Sequence, residues 1–248
     1  MKEAFNFMFK DNMFVKKALT YSAVVFVATL CSNIANTLAP QANTLPSLQF
    51  ILLSIIGFIL MFIPSGYGVS CIKAFIEQNE NIIIPFVNIK NNFILGLKLT
   101  ISIILVTLLF GIVIAIVAII LALIFSLLNA ISIGAIILGL LILGLILTYT
   151  YYSLAFCYIF ATTEKFTSFL QFKTATNLIK INLKHYTLSV LLFVVLSLVV
   201  GVVGMIMLSL LAIFGLIGIT IATLFAALIS GYTVYLFTYL NSKSIKNT

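Results

Sequence analysis

Residues 95–160 read LGLKLTISIILVTLLFGIVIAIVAIILALIFSLLNAISIGAIILGLLILGLILTYTYYSLAFCYIF, and after Lys98 this run contains no charged residue. A hydrocarbon core of ~30 Å is crossed by about 20 helical residues rising ~1.5 Å each, so the run holds two membrane spans, neither one nor three. The reversal is expected at 126–132, around Asn129. A closed barrel would need short strands of alternating polarity. These runs are long and unbroken, so the reading is helical.

The rest of the chain agrees. Of 248 residues, 63% are hydrophobic and 7% charged, with a mean hydropathy of +1.31. A soluble fold needs a polar shell that this composition does not supply. Working outward, spans are expected at about 20–38, 48–72, 99–126, 132–160, 187–208 and 215–240. Pro64-Ser65-Gly66 should kink the second near its end. The turn between the last two falls near Ser209–Gly215 and is poorly marked. A cleaved signal peptide is the competing reading of the N-terminus. The basic region ending at Lys16-Lys17 is too long for one and further spans follow, so an uncleaved first span is expected. Leu30 ahead of Cys31 also excludes a lipobox.

Charge sets the threading. All thirteen lysines and five acids lie in the N-terminus, the 73–98 loop, the 161–186 loop and the tail, and the three intervening turns hold none. Six spans put those four segments on one side, which the positive-inside rule makes cytoplasmic, in a cell (inner) membrane with both termini inside. The ten tyrosines cluster near the same ends, as amphipathic rings do at headgroup level. The net charge of +8 comes without arginine. That favours attraction to membrane lipids over nucleic acid, which is not expected as a partner.

The clearest of these segments is Phe169–Tyr186, FLQFKTATNLIKINLKHY. Lys173, Asn177, Lys180 and Lys184 fall on one helical stripe, opposite Phe172, Ala175, Ile179, Leu183 and Tyr186. The expectation is one interfacial amphipathic helix, apolar side in lipid, with Lys173, Lys180 and Lys184 contacting anionic headgroups. Weaker counterparts, Asp11-Asn12-Met13-Phe14 and Asn91-Asn92-Phe93-Ile94, match Thr176-Asn177-Leu178-Ile179. Each precedes an odd-numbered span, and the first-to-third shift also superposes Ser65-Gly66-Tyr67 on Ser230-Gly231-Tyr232. Three repeated two-helix units, each introduced by a short interfacial helix, are therefore one reading of the chain.

The order Gly66-Tyr67, Lys73, an acidic stretch, Pro85 and an aromatic, then Phe93, Gly96 and Lys98 resembles that of domain of unknown function 4013, a family of prokaryotic multispan proteins. Val87 and Asn88 stand where the family has acids and a tryptophan. The resemblance implies a polytopic membrane protein and assigns no catalytic residues.

Chemistry-bearing residues are few. No span carries Asp, Glu, Lys or His in its central part, which argues against carboxylate-based ion coupling. Ser22, Thr29, Asn33 and Asn36 make the most polar intramembrane face. They are either the lining of a path for a polar solute or interhelical hydrogen-bonding groups, the second being favoured. Small residues Gly218, Ala222, Ala226 and Ser230 in span six, and Gly111, Ala115, Ala118 and Ala122 in span three, suit internal packing before dimerisation. Thr148–Tyr158 suits an interfacial belt before a ligand pocket. The lone His185, the acids Glu77, Glu80 and Glu164, and the scattered Cys31, Cys71 and Cys157 form no triad, HExxH or CxxC pattern. No catalytic, cofactor or metal residue is expected. Protein partners are undetermined and a homo-oligomer is allowed. The functional expectation is a non-enzymatic membrane protein that organises lipids or partners at the cytoplasmic leaflet, the alternative being a permease or permease subunit for a small or lipidic solute.

Overall fold

The computed structural model describes residues 11, 13–39, 45–77, 84–127 and 131–246. Among them every regular element is helical: α1 (Phe14–Thr37), α2 (Leu48–Leu60), α3 (Phe62–Glu77), α4 (Ile89–Leu127), α5 (Ile131–Thr163), a 3-10 turn (Phe166–Leu170), α6 (Phe172–Ile181), α7 (Leu183–Ala212) and α8 (Gly215–Lys246). Six stretches are long and apolar enough to cross a bilayer: Phe14–Thr37, Leu48–Glu77, Ile89–Ser126, Ser132–Thr163, Leu183–Leu211 and Gly215–Tyr239. The described residues are thus all-helical, with six membrane-competent spans. Residues 40–44 of the turn expected at 39–46, residues 128–130 of the one expected at 126–132, Glu80, and the first ten residues lie outside the described residues.

Local chemistry explains the breaks. Pro64 has no N–H to donate to the Leu60 carbonyl, and its ring crowds that oxygen. The second span accordingly interrupts at Met61, between α2 and α3, with the Ser65 hydroxyl bonded to the Met61 carbonyl at 2.9 Å. Ser47 caps α2, its hydroxyl accepting from the Phe50 N–H at 3.1 Å. Between α7 and α8 the chain turns at Ile213–Phe214, and Gly215 takes φ +63°, open to glycine without steric cost.

The Phe169–Tyr186 stretch is not one helix. Phe169 and Leu170 end the 3-10 turn, α6 supplies ten residues, and Asn182 leaves helical geometry at φ −138°, ψ 51°. Leu183–Tyr186 then open α7. The lysine period runs through Asn182 without marking it.

The helices do not share one uniform core. α3 lies closest to α4, α1 packs between α2 and α8, α7 lies along α8, and α3, α5 and α8 touch one another. Large buried side chains concentrate where the lysine-bearing segments meet, in clusters around Tyr67 and Tyr235 and around Phe156, Phe160 and Tyr186. By contrast Ile112, Ile119, Leu123, Leu140, Leu198 and Met205, farther along α4, α5 and α7, are all more than half exposed. Such surface is tolerable only where hydrocarbon is the solvent.

Candidate functional site

Where α3 crosses α4, Gly66 and Gly96 face each other. A Cβ on Gly66 would collide with the Asn92 carbonyl, and one on Gly96 with the carbonyl of Phe62. Asn92 is buried at this crossing, and its Oδ1 accepts from the Ser70 hydroxyl at 2.9 Å. Small residues plus one side-chain hydrogen bond are what hold helices together without a hydrophobic drive between them.

At Tyr67, next to Gly66, polar groups from several elements converge. Tyr67 is fully buried; its hydroxyl donates to the Pro85 carbonyl at 2.8 Å and lies 2.9 Å from the Tyr235 hydroxyl. With Tyr67's proton committed to Pro85, Tyr235 is the donor to Tyr67, a directed chain from α8 through α3 to the 84–88 loop. Tyr21 packs on Tyr67 at 5.2 Å between centroids, and Phe14 stands edge-on to Tyr235 at 5.3 Å. Beside them lies an ion pair. Lys17 Nζ sits 2.6 Å from Asp11 Oδ2, with side-chain exposures of 3% and 8%, and 4.8 Å over the Phe86 ring. Burial alone would push the Asp11 carboxyl up. Hydrogen bonds from Lys17 and from the Met13 and Ile84 N–H groups, with the Lys17 charge, outweigh it and hold the carboxyl below its ordinary value.

A second charged knot joins three spans. Glu164, just past α5, accepts from Lys73 of α3 at 3.0 Å and lies 3.4 Å from Lys98 of α4. Its φ of 51° is the left-handed region, unusual for a residue with a Cβ. The Lys73 hydrogen bond is the main influence on the Glu164 carboxyl, burial opposes it, and the two lysine charges add to it, so the carboxyl stays below its ordinary value.

These contacts use Gly66, Tyr67, Lys73, Pro85, Phe86, Gly96 and Lys98, the residues that carry the resemblance noted from sequence. A family model described as "Protein of unknown function (DUF4013)" matches residues 49–213, more than half of the chain. The chain belongs to the DUF4013 family. No curated protein and no solved structure matches it.

Within this DUF4013 fold, α6 rests on α5 rather than only on lipid. Ala175 and Ile179 are buried, the Thr176 hydroxyl lies 3.0 Å from that of Tyr152, and Phe172 stands edge-on to Phe156 at 5.0 Å. Tyr186 is fully buried, its hydroxyl donating to the Tyr151 carbonyl at 2.6 Å and accepting from the Ala155 N–H at 3.2 Å. Leu183, placed on the apolar face by the periodicity, is exposed, because the break at Asn182 turns it away. Lys173, Asn177, Lys180, Lys184 and His185 are exposed.

The span-one polar residues have different surroundings. Ser22 is buried where α1 meets α8, its hydroxyl where a Cβ on Gly231 would stand. Asn33 Nδ2 donates to the Thr223 hydroxyl of α8 at 2.8 Å, and the Thr29 hydroxyl bonds back to the Val25 carbonyl at 2.7 Å. Asn36 is exposed at the end of α1. In span six Gly218 and Ala222 of the expected row are buried and Ala226 is exposed, while Thr223, Ala227 and Gly231 beside them are all buried. In span three, Gly111, Ala115 and Ala122 are exposed.

α4 and α5 leave a groove of ≈ 220 Å³ between them, lined by Val106, Thr107, Phe110, Ile114, Ile142, Leu145, Ile146, Tyr149 and Thr150. The sequence allowed a ligand pocket at Thr148–Tyr158, which supplies Tyr149 and Thr150, but gave no sign of the α4 wall or of the buried state of Tyr67, Tyr186 and Tyr235. A tyrosine near a span end signals the headgroup level, but the signal is the same whether the ring faces lipid or a neighbouring helix. Among the described residues no three or more His, Cys, Asp or Glu side chains converge as a metal site would need. Cys31, Cys71 and Cys157 are free thiols, Cys71 fully buried.

Proposed function

We propose that this DUF4013 chain is a non-enzymatic protein of a cell's inner membrane that gathers anionic lipids on a cationic cytoplasmic face, with both termini on that side. The observation that carries the reading is the mounting of α6. Its buried Ala175 and Ile179 fix it to α5, while Lys173 and Lys180, and Lys184 in the first turn of α7, remain exposed. A cationic helix anchored to the spans keeps its charges at the headgroup layer continuously, where each lysine is worth about 1 kcal/mol of attraction to an anionic leaflet. α6 is then a short amphipathic element whose apolar face is covered by the protein itself.

The three-unit reading draws support from two matching contacts. Gly66, in the second span of the first unit, packs on the start of α4, and Gly231, in the second span of the third, packs on Ala18 and Ser22 of α1. The first unit would then close on the second, and the third on the first. The permease alternative would use Ser22, Thr29, Asn33 and Asn36 as one lining, and the contacts of Ser22 with Gly231 and of Asn33 with Thr223 favour the lipid reading over it.

The test is reconstitution of the whole chain into vesicles of mixed phosphatidylglycerol and phosphatidylcholine, with the lipid composition around the protein measured at low and high salt. Enrichment of phosphatidylglycerol that falls with salt, and falls with Lys173→Gln, Lys180→Gln and Lys184→Gln together, is expected. Enrichment unaffected by either change would remove this function.

A further inference from the structure

We propose that the α4/α5 groove seats one acyl chain of an anionic glycerophospholipid whose headgroup lies on the α6 lysines. The proposal rests on the lipid-gathering reading and adds to it a defined seat with one occupant.

The groove has a polarity gradient along its length. α4 and α5 run antiparallel, so Val106 and Thr107 neighbour Tyr149 and Thr150 at the end toward the lysine-bearing segments, and Ile114 neighbours Ile142 at the far end. The three hydroxyl-bearing lining residues are thus together at the end nearer α6, and the remainder is apolar. A glycerophospholipid has the same order, with ester oxygens near the interface and hydrocarbon below.

The length fits one leaflet. From Val106 to Ile114 a helix rises about 12 Å, against about 15 Å for half of a ~30 Å hydrocarbon core. The volume of ≈ 220 Å³ is below the roughly 300–1,000 Å³ of sites for drug-sized molecules. A helix of about 10 Å diameter does not enter such a slot.

The groove also reaches the lysines. Phe110, one of its walls, stands edge-on to Tyr149 at 6.5 Å and to Phe172, the first residue of α6, at 6.3 Å. Lys173 follows Phe172 and is exposed. α6 therefore begins against a wall of the slot, which brings an exposed ammonium group near its hydroxyl-bearing end. Charge complementarity selects an anionic phospholipid over a zwitterionic one.

The experiment is native mass spectrometry of the full-length protein in mild detergent after incubation with dioleoyl phosphatidylglycerol or dioleoyl phosphatidylcholine. The wild type is expected to retain one phosphatidylglycerol per chain and to retain phosphatidylcholine at least tenfold less well. Ile142→Trp, which fills the slot, should lower retention of both lipids at least tenfold. Leu143→Trp, on the same helix but outside the lining, should retain lipid as the wild type does and serves as the folding control. The Lys173, Lys180 and Lys184 to Gln triple variant should keep a lipid and lose the headgroup preference. Undiminished retention by Ile142→Trp, equal loss in Leu143→Trp, or a dimer without lipid would overturn the groove proposal. A triple variant that keeps the preference would overturn the headgroup placement and with it the lipid-gathering reading, a different failure from that of Ile142→Trp.

Discussion

α4 has two neighbours in sequence and meets them differently. Against α3 it comes so close that no Cβ fits at Gly66 or Gly96. Against α5 it opens into the groove and comes close again only towards the turn, where a Cβ on Gly134 would crowd the Phe125 ring. Hydrophobicity does not separate the two interfaces, since all three helices are strongly apolar. The difference is that α3 and α4 present small residues at the crossing together with the Ser70–Asn92 hydrogen bond. Burial of apolar surface gains little when lipid is the alternative, so shape and polar pairing decide which helices touch.

Substitution at the tight crossing should give the largest effect. Gly66→Leu or Gly96→Leu drives a side chain into backbone carbonyls that cannot yield, and should cost at least about 3 kcal/mol, read as loss of folded protein or a large drop in Tm in detergent. The next effect falls where α3 meets α8. Tyr67→Phe removes the donor to Pro85 and leaves the buried Tyr235 hydroxyl without its acceptor, so about 1–3 kcal/mol should be lost in chemical unfolding. Unchanged stability would mean that the tyrosine pair does not fasten the loop.

The Lys73–Glu164–Lys98 knot ties both interfaces of α4 at one end. Glu164 has a side-chain exposure of 33%, so solvent screening limits its contribution and Glu164→Gln should cost about 1 kcal/mol or less. Its carboxyl is depressed when folded. The contribution is therefore fully present above the unfolded value near 4.5 and is lost as pH falls below it. The wild type should lose this increment on acidification and Glu164→Gln should not, in paired denaturation curves. The smallest effect is expected on the open side, where Gly111→Ala adds a Cβ to empty space and should change stability by no more than about 1 kcal/mol, toward stabilisation through better helix propensity. A large destabilisation there would show that α4 has a partner on that face.

The spans were legible because ~20 apolar residues are needed to cross a bilayer and the charges of this chain avoid three of its turns. Pro64 located the interruption at Met61 to within a turn, since a missing N–H acts on the carbonyl four residues earlier. Asn182 gave no such signal. The stripe through Lys180 and Lys184 continues across it, and only the anchoring of Tyr186 on α5 separates α6 from α7. The buried Asp11–Lys17 pair and the inward Tyr67, Tyr186 and Tyr235 were hidden for a related reason: charge and tyrosine at a span end report depth along the membrane normal, not direction around the helix. The groove was only faintly marked, because Tyr149 and Thr150 suit an interfacial belt as well as a lining and the α4 wall is apolar apart from Thr107.

A cationic face requires all lysine-bearing segments to lie on one side of the membrane. Single cysteines at Gln41, Asn129 and Lys173, in a chain with Cys31, Cys71 and Cys157 changed to alanine, can be tested in sealed cells with a membrane-impermeant maleimide. Gln41→Cys and Asn129→Cys should label from outside, and Lys173→Cys only after the membrane is opened. Labelling of Gln41→Cys and Lys173→Cys from the same side would contradict the six-span threading and the cationic face built on it.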